Sequence, residues 1–116
     1  MAFRLEWSRE GKAQYNQTKR AAIKAQATRE RTGKTKSSRQ EGLFKQIHKA
    51  LGYLSSNPRH PGLSTHKYGT IIDPTGQKRD LFEAYGQNDA PGAYRIFWHY
   101  GPGRGVISIA AITPHP

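Results

Sequence analysis

The sequence of 116 residues has no cysteine, only eight acidic residues and no long apolar run. The absence of cysteine excludes disulfides and thiolate zinc sites, and it fits a reducing cytoplasm. No stretch approaches the roughly 20 apolar residues that span a bilayer. The N-terminus begins with a strand-like pattern instead of the apolar segment of a signal peptide. We therefore expect one cytoplasmic domain, residues 1–116, with no membrane partner.

The charge of the chain is strongly one-sided, because 19 lysines and arginines give a formal net charge of +11. Apolar residues make up only 34% of the sequence, and the mean hydropathy is −0.85, so the expected core is small. A positive field of this size favours polyanions. Nucleic acid is the first expected partner, and an acidic protein is compatible with it.

Most of the surplus charge lies between Lys12 and Lys49, where eleven basic residues accompany only two acidic ones, Glu30 and Glu41. A charge run is often just a solvated face, but the imbalance here equally favours binding to a polyanion. The residues of this segment predicted to contact nucleic acid are Lys12, Lys19, Arg20, Lys24, Lys45 and Lys49.

The N-terminal half is predicted to contain one strand and two helices. Apolar and polar residues alternate over 3–7, as in a short strand, Ser8 is the predicted N-cap, and helix formers fill 9–29. A basic, mobile loop is expected at about 30–38. Ser38 and Glu41 form a capping-box pattern that begins the second helix, and Pro58 marks its end. An apolar stripe on this helix is expected to pack on the sheet: Leu43, Ile47, Leu51 and Leu54.

The C-terminal half is predicted to form four further strands, at about 69–73, 80–86, 93–100 and 105–112. Short connections rich in glycine and proline join them, which implies antiparallel neighbours. The expected fold is therefore α+β: an N-terminal strand, two helices packed on one face of the sheet, and a C-terminal antiparallel meander.

Four stretches resemble the RelE/ParE superfamily of toxins from type II toxin–antitoxin systems, and within it the RelE and YoeB-like branch. A helix end followed by Asn-Pro-Arg-His-Pro lies in residues 54–63, and an aromatic–glutamate strand in 81–85. A Tyr-Arg-hydrophobic strand occupies 93–98, and a last strand leading to a terminal histidine occupies 109–115. The resemblance implies a cognate antitoxin, and ribosomes and mRNA as further partners.

The resemblance also implies an activity, the cleavage of mRNA on the ribosome by the RNA's own 2′-hydroxyl. Such a reaction needs activation of the hydroxyl, positive charge near the phosphorus and an acid for the leaving oxygen. The family's catalytic arginine corresponds to Arg95. Its terminal general-acid histidine corresponds to His115, although Pro116 replaces the aromatic residue that follows in the family.

Three more residues are candidates for the catalytic site. His66 and Lys67 end the irregular loop before the meander, where His66 could accept a proton and Lys67 could hold a phosphate. Glu83 is either the orienting partner of Arg95, which is favoured, or a base. The YoeB-like branch uses a glutamate in the loop region, and this loop has no acidic residue, so the identity of the base stays open.

Strand alternation places Arg95, Phe97 and His99 on one side of their strand. Phe97 could stack on a base, and His99 could share that RNA-binding face, although a strand-end histidine with local hydrogen bonds is favoured for His99. Arg59 is expected either to form the turn or to contact rRNA. The five histidines show no metal-binding spacing, and this chemistry requires no metal, so neither a metal nor another cofactor is expected.

Three functions remain open at this point. The first is a ribosome-dependent mRNA endonuclease, which the polar candidates favour. The second is a gyrase inhibitor like the ParE toxins, without nuclease chemistry. The third is a non-catalytic module that binds RNA or the ribosome through its basic helices.

Overall fold

The computed structural model describes residues 2–87 and 92–114. In chain order the elements are β1 (Arg4–Trp7), α1 (Arg9–Arg31), α2 (Arg39–Ser56), a short 3₁₀ turn (Pro61–Leu63), β2 (His66–Ile72), β3 (Lys78–Tyr85), β4 (Tyr94–Tyr100) and β5 (Val106–Pro114). Within those ranges, no helix is both long and apolar enough to cross a membrane.

The five strands form one sheet in the order β1-β5-β4-β3-β2. Strands β2 to β5 are an antiparallel meander, whereas β1 runs parallel to β5, with Leu5 opposite Ile107. A parallel neighbour cannot be reached by a tight turn. Here both helices and three strands lie between β1 and β5 in the sequence. The predicted α+β architecture is confirmed.

Both helices begin at the predicted serine caps. The Ser8 hydroxyl accepts the Gly11 amide and donates to the carbonyl of Ala110, which ties the start of α1 to β5. Ser38 and Glu41 form the predicted capping box at the start of α2. Helix α1 continues to Arg31, so the connection predicted at 30–38 is reduced to 32–38.

The helices cover one face of the sheet, and the core lies between the helices and that face. Ile47, Leu51 and Leu54 of α2 are buried against Ile96 and Trp98 of β4, as the apolar stripe of α2 predicts. The second face of the sheet, called the open face below, carries the side chains that alternate with these core residues.

Helix α1 leaves the sheet about halfway along its length. Gly11 packs against the carbonyl of Ile109, and the Gln14 side chain accepts the amide of Ile112 at 2.6 Å. Ala22 is the last buried residue of the helix. Further on, Arg29 bonds to Glu41 of α2, so the end of α1 and the start of α2 form a helical hairpin.

Candidate active site on the open face of the sheet

The register of three neighbouring strands brings the candidate residues together. Glu83 of β3 stands opposite His66 of β2 on one side and Phe97 of β4 on the other. Two residues further along β3, and therefore on the same face, Tyr85 stands opposite Arg95 of β4. Since directly opposite residues point to the same side of a sheet, all five side chains belong to the open face.

His66 and Glu83 form the closest polar contact of this site. The Nε2 atom of His66 lies 3.0 Å from Oε1 of Glu83; the histidine side chain is 51% exposed and the carboxylate is buried. A carboxylate only accepts hydrogen bonds, so it holds a proton on Nε2. In the neutral ring the second nitrogen, Nδ1, then carries a lone pair, so its 3.4 Å separation from the carbonyl oxygen of Ser64, which can only accept, is no hydrogen bond, and Nδ1 is the nitrogen left to accept a proton.

Arg95 belongs to the open face, but its side chain is buried beneath the surface of that face. The residue is only 2% exposed. Its guanidinium carbon lies 4.0 Å from the ring centroid of Tyr85, and Nη1 donates to the carbonyls of Ala93 and Tyr94. A planar, weakly hydrated guanidinium stacks well on an aromatic face, which explains why this cation is tolerated below the surface.

The sequence interpretation favoured Glu83 as the partner of Arg95 and missed its contact with His66. The loop before the meander was expected to extend to residue 69, whereas β2 begins at His66. Pairing with β3 extends the strand, and this pairing cannot be derived from the local composition of a segment rich in polar residues. Only the register shows that His66 and Glu83 meet.

Lys67 is not brought to the same site. It pairs with Phe82, a residue of the core side, so its side chain leaves the strand on the face opposite to His66. Its Nζ lies 3.3 Å from Oδ1 of Asp80, in a well-exposed ion pair. The proposed phosphate contact of Lys67 beside His66 therefore lacks the required geometry.

Two candidates of β4, Phe97 and His99, differ in exposure. Phe97 is partly exposed on the open face, and its ring contacts the ring of Tyr68. His99 is buried, and its Nδ1 lies 3.0 Å from the Tyr100 carbonyl. This burial removes His99 from the surface that RNA can contact. The predicted site residue His115 lies outside the described residues.

Comparison with known proteins identifies the fold of the chain. Neither a scan against protein-family models nor a search of curated proteins finds a match. The solved structure of the archaeal RelE–RelB complex from Pyrococcus horikoshii matches over 98% of this chain and 96% of that chain, with a TM-score of 0.52 and 14% identity. The chain has the RelE fold. The resemblance read from four short stretches is thereby confirmed as a likeness of structure.

In this RelE fold the predicted nucleic-acid contacts lie mainly on the helices, across the sheet from the His66–Glu83 pair. Two of the lysines are held over aromatic rings: Lys12 lies 5.2 Å from the Trp7 ring, and Lys49 lies 5.7 Å from the Tyr53 ring. Arg59 follows α2, and its backbone amide donates to Asn57. The basic residues among the predicted contacts are all exposed: Lys12, Lys19, Arg20, Lys24, Lys45, Lys49 and Arg59.

A further basic site lies at the end of the helical hairpin, and the sequence interpretation did not single it out. Lys24, Lys34 and Lys36 line a cleft of about 580 Å³ together with Thr28 and Thr32; we call it the hairpin cleft. None of the ion pairs among the described residues involves these three lysines. Their charges are therefore available to an external anion.

An ion pair joins the two helices of the hairpin next to the cleft. Arg29 donates to both carboxylate oxygens of Glu41, and the backbone amide of Ser38 donates to the same carboxylate. The Arg29 hydrogen bond, followed by that of Ser38, lowers the pKa of Glu41 from 4.5 to about 2. Arg29 thus neutralises the charge of Glu41, and the described residues that line the cleft include lysines and no acidic residue, so the cleft is positive. No group of three potential metal-ligating side chains occurs in the described part of the chain.

Proposed function

We propose that this protein is the toxin of a type II toxin–antitoxin system and that it cleaves mRNA on the ribosome, in the cytoplasm. The observation that carries the proposal is the His66–Glu83 pair, an exposed imidazole held at 3.0 Å by a buried carboxylate on the open face. The RelE fold over 98% of the chain and the net charge of +11 support it. Together these features suit acid–base chemistry on a polyanion.

The proposed reaction is a transesterification within the RNA. Nδ1 of neutral His66 accepts the proton of the 2′-hydroxyl while O2′ forms a bond to phosphorus and the bond from phosphorus to O5′ breaks. Glu83 keeps the proton on Nε2 and stabilises the imidazolium that results. The leaving O5′ takes a proton from an acid, for which His115 is the sequence prediction. The products are a 2′,3′-cyclic phosphate and a free 5′-hydroxyl.

Arg95 supplies positive charge from below the surface. Electrostatic attraction to the negative charge that develops on the phosphate is stronger where water is excluded. The buried guanidinium over Tyr85 is such a charge, fixed in place before the substrate arrives. In this proposal Arg95 is an electrostatic group, and no direct contact between its guanidinium and the phosphate is required.

The proposed partners follow from the charge distribution. The exposed lysines and arginines of the helices bind rRNA phosphates, and the open face receives the mRNA. The structural neighbour is a RelE–RelB complex, and for this chain we propose a small acidic antitoxin that neutralises the basic surface.

The decisive experiment is cleavage of mRNA on programmed ribosomes by the purified protein. We expect new ends carrying a cyclic phosphate and a 5′-hydroxyl, and no cleavage when the scissile nucleotide is 2′-deoxy. Cleavage of the deoxy substrate would exclude the mechanism. Inhibition of DNA supercoiling by gyrase with intact mRNA would replace this function with the gyrase-inhibitor alternative, whereas ribosome binding without either effect would favour the non-catalytic module.

A further inference from the structure

The side chain of Tyr68 is displayed on the open face beside the candidate active site. The β2–β3 register shifts between Lys67, which faces Phe82, and Gly69, which faces Leu81. Tyr68 is thus the extra residue of a β-bulge. A bulge bends its strand and redirects a side chain, and such features are over-represented next to active sites. Here the bulge begins two residues after His66.

The ring of Tyr68 is both supported and accessible. Its centroid lies 4.9 Å from that of Phe97, with the ring planes at 70° to each other. Edge-to-face packing of this kind orients an aromatic ring. Tyr68 is nevertheless 61% exposed, the second highest exposure among the large apolar residues described. A fixed and accessible aromatic face has the properties of a stacking platform.

We propose that Tyr68, backed by Phe97, is a subsite for a nucleobase of single-stranded RNA. The proposal rests on the proposed function for the choice of RNA as ligand. Bases in a single strand can be splayed out and stacked on aromatic side chains, and stacking tolerates any base because each has a π-face. Tyr68 comes two residues after His66, so a base stacked there belongs to a nucleotide at or next to the scissile phosphate.

The surroundings of Tyr68 favour RNA over a protein partner. Beside the ring on this face lie the His66–Glu83 pair and the buried cation Arg95, which suit the phosphates and hydroxyls of RNA. A single aromatic ring is small as a protein-docking patch, since protein interfaces bury about 800 Å² on each partner. It is sufficient for one base.

The test is a double-mutant cycle between the protein and the RNA. Binding of fluorescent RNA oligonucleotides, made uncleavable by 2′-deoxy substitution, is measured for the unmodified protein, Tyr68→Ala and Tyr68→Phe. Each nucleotide is replaced in turn by an abasic one. We expect Tyr68→Ala to weaken binding by about 5- to 150-fold, the range that corresponds to stacking of one base. Tyr68→Phe retains the aromatic face and should bind like the unmodified protein.

The decisive result comes from combining Tyr68→Ala in the protein with an abasic nucleotide in the RNA. Removing the base at one nucleotide should weaken binding to the unmodified protein and have no further effect on Tyr68→Ala. Ile72→Ala, a substitution of another exposed residue of β2, is the matched control and should bind normally. Thermal unfolding shows whether each variant is folded.

Two outcomes would overturn the subsite. Tyr68→Ala and every abasic substitution could act additively, or Tyr68→Ala could weaken binding of the antitoxin and leave RNA binding unchanged. Failure of the proposed function is recognised separately, because a protein that shows the coupling at one nucleotide but never cleaves an all-ribose RNA retains the subsite and lacks the endonuclease activity.

Discussion

His66 and Glu83 face each other across the β2–β3 ladder, with Nε2 3.0 Å from Oε1. His66 is the exposed member of this pair, and the buried carboxylate of Glu83 fixes the orientation and the tautomer of its ring. The proposed catalytic role of His66 depends on this arrangement.

The first prediction concerns this pair. His66→Ala should slow single-turnover cleavage by about 10²- to 10⁴-fold, the usual effect of removing an acid–base group. Glu83→Gln keeps the shape of the side chain but removes the charge that stabilises the imidazolium, so cleavage should slow by a smaller factor. Because the two residues act as one unit, the double variant should be no slower than His66→Ala alone.

Exposed Thr70 on the same strand provides the control, since Thr70→Ala changes β2 without touching the pair. Rates are measured under single-turnover conditions on programmed ribosomes, with ribosome binding measured in parallel. Normal cleavage by His66→Ala would remove His66 from the mechanism, and additive losses in the double variant would show that Glu83 does not act through His66.

A second prediction concerns Arg95, whose side chain is buried. Its burial and its stacking on Tyr85 mean that Arg95→Ala leaves a cavity in addition to removing the charge. We expect Arg95→Ala to lower both the melting temperature and the cleavage rate. Arg95→Lys keeps the charge and most of the volume, so it should restore more stability than activity, because an ammonium does not reproduce the planar stacked group.

Melting curves and cleavage rates of the two Arg95 variants are compared with those of Tyr85→Phe, which retains the ring under the guanidinium. The expected loss of rate for Arg95→Ala is about 10²- to 10³-fold, as for other preorganised charges. A variant that loses stability but cleaves at the normal rate would make Arg95 a purely structural residue.

His115 allows a third prediction. As the general acid implied by the resemblance, it should be required for protonation of the leaving 5′-oxygen. Replacing that oxygen by sulfur gives a leaving group that needs no proton, so it should restore cleavage by His115→Ala and leave His66→Ala slow. Equal cleavage of the normal substrate by His115→Ala and the unmodified protein would show that the terminal histidine has no catalytic role.

The fold was largely predictable from the sequence, because the patterns that specify it are local. Ser8 and Ser38 cap the helices as expected, and the stripe of Ile47, Leu51 and Leu54 is buried. These signals depend on spacing along the chain.

The candidate site was only partly predictable, because it depends on register and on burial. The residue types were recognised, but the contact of His66 with Glu83 requires the pairing of two strands, and the bulge at Tyr68 shifts that pairing by one residue. The burial of Arg95 and His99 likewise depends on neighbouring strands. Alternation along a strand identifies the face of a side chain but not what covers it.

A fourth prediction concerns the stability of the helical hairpin in acid. The pKa of Glu41 is lowered to about 2 by Arg29 and Ser38. A carboxyl with a depressed pKa stabilises the folded state fully above its ordinary pKa of 4.5, and this contribution is lost as the pH falls towards 2. We therefore expect Glu41→Gln to melt at a lower temperature at pH 7 and to differ progressively less from the unmodified protein as the pH falls.

Melting temperatures between pH 7 and pH 2 test this expectation, with Glu30→Gln as the control, an exposed carboxylate on the same hairpin. The pKa of Asp73 is also depressed, by its hydrogen bonds with Thr75 and Arg79, so Glu41→Gln should retain part of the acid sensitivity. A constant difference in melting temperature across the whole pH range would mean that the Arg29–Glu41 ion pair does not titrate as described.

The last prediction concerns the hairpin cleft. If its lysines contact RNA phosphates, ribosome binding should weaken steeply with salt, because each contact releases a condensed counterion. The variant K34Q/K36Q should bind more weakly and reduce the slope of log affinity against log salt by roughly 1.4 to 1.8, as expected for two lost contacts. The control K78Q/R104Q removes the same charge from two exposed positions, the first residue of β3 and the β4–β5 connection, and should leave the slope nearly unchanged. Equal slopes for the two variants would mean that only net charge matters, whereas a selective loss in K34Q/K36Q would identify the hairpin as a specific anchor on rRNA, across the sheet from the site of cleavage.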